Sequence, residues 1–137
     1  VSVKTSLPLL ENGNRMFTRC DFLTEFDVTS LDKLVQSNAM FQGCLRLRTF
    51  DCDLPSLMNA LNMFEDCQRL ATFNGSLKNL TCGYNMFSGC QLDKQSVIRI
   101  SESIKDISGL NKNESEHWES KAFCNENANN LQNPYDY

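Results

Sequence analysis

One phrase returns at a fixed interval in this chain, and that interval narrows the folds open to it more than any other feature. Met40-Phe41-x-x-Cys44 recurs as Met63-Phe64-x-x-Cys67 and again as Met86-Phe87-x-x-Cys90, 23 residues apart each time. Between the boxes, Leu47, Phe50, Leu54 and Leu57 are answered by Leu70, Phe73, Leu77 and Leu80. A self-similar period of this length marks a stacked-repeat architecture. One unit cannot bury its narrow apolar set alone, so neighbouring units bury it together.

The apolar columns also constrain the path of the chain. In the best-formed unit they fall at 64, 67, 70, 73, 77, 80 and 83, nearly every third residue. That is neither the alternation of a strand nor the stripe of a long helix. It suits a chain turning steadily about an axis and sending one side chain inward at each corner. Leu-x-x-Phe (47–50, 70–73) and Leu-x-x-Leu (54–57, 77–80) are therefore expected as very short strands. Met-Phe-x-x-Cys is expected as a helical or tight turn, which Gly43 and Gly89 help the chain to leave. Small residues share one column, Gly13, Ser37, Ala60 and Gly83, where neighbouring units should approach closely.

The units divide residues 1–92 into a partial repeat (1–15), three whole ones (16–39, 40–62, 63–85) and a partial fourth (86–92). Leu7-Pro8-Leu9-Leu10 lines up with Leu54-Pro55-Ser56-Leu57, so the stack is expected to begin mid-coil. The unit 16–39 carries one extra residue between Phe26 and Leu31, expected as a loop bulge that leaves the columns in register. After Leu92 the pattern gives way to Asp93, a suitable helix N-cap. Val97, Ile100, Ile104 and Ile107 then recur at helical spacing. This predicts an amphipathic helix from about 94 to 106, within a capping segment 93–110 that Gly109 ends, laid over the last repeat to cover its open edge. Residues 111–137 are rich in Asn and Glu and are expected as loop or partly disordered.

Seven cysteines would ordinarily suggest a disulfide scaffold. Cys20, Cys44, Cys67 and Cys90, however, occupy one repeat column, where reduced thiols serve as small buried packing groups. Cys52, Cys82 and Cys124 lie off that column and are the better candidates for a disulfide or a reactive thiol. The net charge of −4 gives no footprint for nucleic acid. No apolar run approaches the roughly 20 residues that span a bilayer. The chain opens at Val1, which leaves a removed leader and a piece of a longer protein equally open.

Chemistry-bearing motifs are sparse. His117 is the single histidine and stands apart from any Cys or Ser box. There is no Cys-x-x-Cys, no Gly-rich phosphate loop and no His tract, so no catalytic residue, metal or cofactor is assigned. The exposed columns are more informative. Two residues after each Cys stand Phe22, Arg46 and Arg69, and one after the next Leu stand Thr24, Arg48 and Ala71. Phe22, Arg46, Arg48 and Arg69 are the candidate ligand-binding patch, because guanidinium groups clustered on adjacent units meet carboxylates and sulfates through forked hydrogen bonds. The ordinary alternative is a solvated face balanced by Glu25, Asp51 and Glu65. Asp27, Asp51 and Asn74, which follow each Phe, are expected to cap turns. Three Asn-x-Ser/Thr triplets begin at Asn74, Asn79 and Asn113, and in so Asn-rich a chain chance accounts for them.

Met-Phe-x-x-Cys-x-x-Leu-x-x-Phe, continued by Leu54-Pro55-Ser56-Leu57 and a small residue, resembles the BspA-like class of leucine-rich repeats. Met stands here where that class has Ala, and Phe where it has Val. The resemblance covers residues 5–92, and Leu92-Asp93-Lys94-Gln95-Ser96-Val97 is similar to the helix that follows such repeats in bacterial and phage-associated surface proteins. It implies an α/β solenoid, a right-handed leucine-rich-repeat stack of about three and a half coils closed by the C-terminal helix. It further implies a non-catalytic binding or adhesion module on a cell surface or virion, recognising a host protein or glycan. A structural role, docking into a larger assembly through the solenoid end or the tail, is the alternative.

Overall fold

The computed structural model describes residues 1–83 and 85–105. Four short strands, β1 (Ser2–Thr5), β2 (Glu25–Val28), β3 (Thr49–Phe50) and β4 (Thr72–Phe73), form one parallel sheet in the order β1-β2-β3-β4. Each strand comes from a different repeat, and Phe26, Phe50 and Phe73 stand in one register. A second parallel line of single bridges joins Asn12, Gln36, Asn59 and Cys82. Consecutive repeats therefore lie side by side and bond along two separate lines. Helix α1 (Lys94–Lys105) follows β4.

The Met-Phe-x-x-Cys box supplies a third line of bonds, and its geometry was only half foreseen. The box is a run of tight turns in which alternate amides have different partners. In the repeat that begins at Met40, the N–H groups of Met40, Gln42 and Cys44 donate three residues back, to Ser37, Ala39 and Phe41. The intervening N–H groups of Ala39, Phe41 and Gly43 donate forward, to the carbonyls of Leu61, Met63 and Glu65 in the next repeat at 2.7–2.8 Å. This alternation requires left-handed backbone at two places per box. Arg15, Ala39, Asn62 and Asn85 hold φ of 56–60° before the Met, and Arg19 and Asp66 hold 57° and 61° before the Cys. Gly43 and Gly89 occupy the latter column with φ of 74° and 80°, so glycine meets a demand there that Arg19 and Asp66 meet under strain.

The Leu-x-x-Leu segments are turns, a correction to the expected second strand. The N–H groups of Leu34, Leu57 and Leu80 bond back to Leu31, Leu54 and Leu77. Such closure shortens the path between the two leucines and points both inward, and all six are at 0% exposure.

The core is two interleaved columns of phenylalanine. Phe17, Phe41, Phe64 and Phe87 stack face to face at 5.5, 5.3 and 5.6 Å, and Phe26, Phe50 and Phe73 stack at 5.9 and 5.6 Å. The columns meet edge to face at 4.7–5.7 Å, the arrangement the ring quadrupole favours. Box and strand each contribute one ring per repeat, so a 23-residue period builds both columns. In the small-residue column the close approach is to a methionine: a Cβ on Gly13 would lie 2.8 Å from the Met40 sulfur. Ser37, one repeat on, directs its hydroxyl at the Met63 sulfur, 3.0 Å away.

The extra residue of the second unit falls after β2, at Thr29 and Ser30. It is absorbed as a bulge before Leu31, which is again fully buried. Helix α1 begins at the expected place. Asp93 Oδ1 accepts from the Ser96 N–H at 2.8 Å as an N-cap, and its Oδ2 accepts from the Thr72 hydroxyl at 3.2 Å. Burial pulls that carboxyl pKa upward, but the hydrogen bonds from Ser96 and Thr72, with the charge of Arg99, outweigh it and leave it below the usual carboxylate range. Val97 and Ile100 are buried, as their spacing requires. The Ser96 and Ser103 hydroxyls accept the N–H groups of Phe73 and Leu77 at 3.0 and 2.6 Å, which supplies partners at the β4 edge. The side chain of Ile104, together with Ile107, Gly109, His117, Cys124 and the segment 111–137, lies outside the described residues. Among the described residues no helix is long and apolar enough to cross a membrane.

Candidate functional site

The core consumes most of the chemistry the sequence offers. The Cys44, Cys67 and Cys90 thiols each donate to a carbonyl of the preceding repeat: Phe17, Phe41 and Phe64, at 3.1, 3.0 and 3.1 Å. Burial pushes the Cys44 thiol up to about 12 and raises Cys67 and Cys90 as well. A thiol so far from ionisation is a poor nucleophile and a poor metal ligand at neutral pH. These groups bridge repeats as neutral donors.

Cys52 departs from the sequence reading. It is a buried thiol, not a reactive one, in a column with Val28 and Gly75, and burial raises its pKa too. Gly75 ends that column because a Cβ there would lie 2.4 Å from the Cys52 carbonyl oxygen. Cys82 is exposed, and all six cysteines among the described residues are free thiols. Among the described residues no group of three or more His, Cys, Asp or Glu side chains is placed to hold a metal ion.

The outward positions between each Cys and the following Leu are set by a turn. Leu23, Leu47 and Leu70 donate their N–H groups back to Cys20, Cys44 and Cys67. This loop throws the two intervening residues into solvent, so Phe22, Arg46 and Arg69 share one exposed column. Phe22 is 66% exposed, and the Arg46 guanidinium lies 5.3 Å from its ring centroid. This is a cation–π contact, worth about 0.5–1 kcal/mol at an exposed site. The pair presents an aromatic edge and a guanidinium fork side by side. Arg69 holds the same position one repeat further on. Leu45, 37% exposed beside Arg46, adds apolar surface that the column reading overlooked.

Arg48 stands apart from this pair. It lines an open groove of about 600 Å³ on the outer face of the sheet with Glu25, Asp27, Thr49 and Asp51. Three carboxylates in that groove make it a mixed-charge surface, and two of them, Glu25 and Asp51, belong to the balanced solvated face that the sequence offers as the alternative to a basic patch. Among the described residues no side-chain hydrogen bond or ion pair holds the Arg46, Arg48 or Arg69 guanidinium. The column of Asp27, Asp51 and Asn74 also differs from expectation. The Asn74 amide donates to Asp51 Oδ1 across repeats at 3.1 Å, where a local turn cap was anticipated. The Asn79 amide likewise donates to the Pro55 carbonyl of the neighbouring repeat.

No protein-family model, no curated protein and no solved structure matches the chain.

Proposed function

We propose that the chain is a short leucine-rich-repeat solenoid of the BspA-like kind, acting as a non-catalytic binding module at a cell surface or on a virion. Its stacked repeats offer fixed inner columns and variable outer ones, the division by which repeat proteins present ligands. The observation that carries the reading is the Phe22–Arg46 pair. A large apolar ring is left in solvent beneath a guanidinium, while almost every other phenylalanine of the described residues is spent on the core. Aromatic and Arg side chains dominate the energetics of recognition surfaces. With Arg69 next in the column, the surface suits a protein or glycan ligand bearing carboxylate or sulfate groups.

The test is binding to an array of sulfated and carboxylated glycans and secreted host proteins. The reading expects a hit that the double variant Arg46→Ala/Arg69→Ala weakens at least ~10-fold, a loss of about 1.4 kcal/mol, without a change in thermal midpoint. Binding that survives both the double variant and Phe22→Ala would sink the assignment to this face. An array with no hits would sink the choice of ligand class.

A further inference from the structure

The two edges of the sheet are finished differently. At β4, α1 covers the edge with Val97 and Ile100 and gives serine acceptors to the N–H groups of Phe73 and Leu77. At β1, no described strand pairs with the outer edge. Counted from strand to strand, the first repeat (residues 1–23) carries the same apolar columns as the second (24–47), yet Leu10, Phe17 and Cys20 are only partly buried where Leu34, Phe41 and Cys44 are at 0% exposure. Met16 is 47% exposed, and Met40 is at 0%.

The hydrogen-bonding groups repeat this contrast. The carbonyls of Gln36, Asn38, Met40 and Gln42 accept from the N–H groups of Gly13, Arg15, Phe17 and Arg19 at 2.7–2.9 Å. Their counterparts in the first repeat are the carbonyls of Asn12, Asn14, Met16 and Thr18, and none of these accepts a backbone N–H from the described residues. The end is a row of acceptors at every second residue beside a half-covered phenylalanine.

We propose that this end is an interaction surface for a further coil of the same repeat, laid against it in parallel register. The inter-repeat interface already described would then continue by one unit. Such a coil supplies what the face lacks: N–H donors at alternate residues, a ring to stack on Phe17 and a strand for β1. A second copy of the chain does not fit. A twofold pair would set acceptor row against acceptor row, and α1 occupies the edge that a head-to-tail pair would use. A smooth apolar partner would leave the carbonyls dry and unpaired. The inference is independent of the ligand face at Phe22 and Arg46.

The experiment places a copy of Arg48–Leu70 directly ahead of Val1 in the full chain. Val1 then takes the place of Ala71, Phe64 of the copy falls over Phe17, and the donor row falls over Asn12–Thr18. The control carries the same 23 residues in scrambled order. The expected result is one cooperative unfolding transition with its urea midpoint shifted upward from the control, and slowed hydrogen exchange at the amides of the added coil. A midpoint equal to the control's, with the added amides exchanging freely, overturns the proposal. Sedimentation of the unextended chain as a dimer that Phe17→Asp dissociates also overturns it, because the face then takes a second copy.

Discussion

Truncating the phenylalanine columns at two depths tests the packing quantitatively. Phe64 is fully buried and meets four rings: Phe41 at 5.3 Å, Phe50 at 5.1 Å, Phe73 at 5.7 Å and Phe87 at 5.6 Å. Phe17 is partly buried and meets two, Phe26 at 5.3 Å and Phe41 at 5.5 Å. A buried Phe→Ala change costs about 3–5 kcal/mol from lost transfer energy and the cavity left behind. Each aromatic pair adds roughly 0.5–1.5 kcal/mol beyond area. Phe64→Ala should therefore cost about 5 kcal/mol, a large share of the roughly 5–15 kcal/mol that holds a domain of this size. Phe17→Ala, with half the ring contacts and part of its surface already wet, should cost about 2 kcal/mol. Equilibrium urea unfolding followed by far-UV circular dichroism measures both. Equal costs, or a greater cost at Phe17, would refute the graded stack and with it the unpartnered first repeat. Should Phe64→Ala fail to fold, Phe64→Leu, which keeps most of the volume, provides the comparison.

Other consequences can be measured on the same protein. Asp66→Gly should stabilise by about 0.5 kcal/mol in urea melts, because relief of the left-handed strain at the position Gly43 and Gly89 occupy outweighs the freedom glycine adds to the unfolded chain; a destabilised variant would contradict that. Ser96→Ala should cost about 1–3 kcal/mol by leaving the Phe73 N–H buried without its acceptor, and a neutral result would mean water replaces it. The thiols Cys44, Cys67 and Cys90 have folded pKa values raised by burial, so their contribution is intact below the unfolded thiol pKa and is lost as pH climbs toward the folded one. Unfolding free energy should accordingly fall above about pH 9, by about 1.4 kcal/mol per pH unit for each such thiol, and Cys67→Ala should flatten the slope. With iodoacetamide under native conditions, Cys82 should be alkylated at the rate of an exposed thiol while Cys44, Cys52, Cys67 and Cys90 react only through unfolding; rapid loss of Cys52 would contradict its place in the core.

Much of this structure could be read in advance because its inner columns are spelled by residue type. Phe50 and Phe73 mark strand positions, the box cysteines mark one line of packing, and Asp93 with Val97 and Ile100 marks the closing helix. What escaped the sequence is bonding between backbones. In Leu54-Pro55-Ser56-Leu57 the proline alone speaks for a turn over a strand, and the matching segments 31–34 and 77–80 carry none, so there the turn shows only in the carbonyls of Leu31 and Leu77 accepting from Leu34 and Leu80. The left-handed sites carry a local signal where glycine, Asn62, Asn85 or Asp66 occupies them. At Arg15, Arg19 and Ala39 no local propensity reports the conformation, and the bonds to the neighbouring repeat hold it. The candidate face was half legible. Column arithmetic placed Phe22 with Arg46, which the ring contact matches, and gave no sign of the groove that Arg48 lines with Glu25, Asp27 and Asp51. Cys52 was misjudged because its column, Val28–Cys52–Gly75, changes residue type at every step.

Native-state hydrogen exchange, resolved amide by amide, bears most directly on the claim that each repeat is tied to the next through alternate residues of the box. The amides of Ala39, Phe41 and Gly43, which donate to the following repeat, should be protected to near the global unfolding free energy and exchange together with those of Phe64 and Asp66. Exchange of these amides at the rate of open surface turns, while β2–β4 remain protected, would show that the boxes do not hold the repeats together.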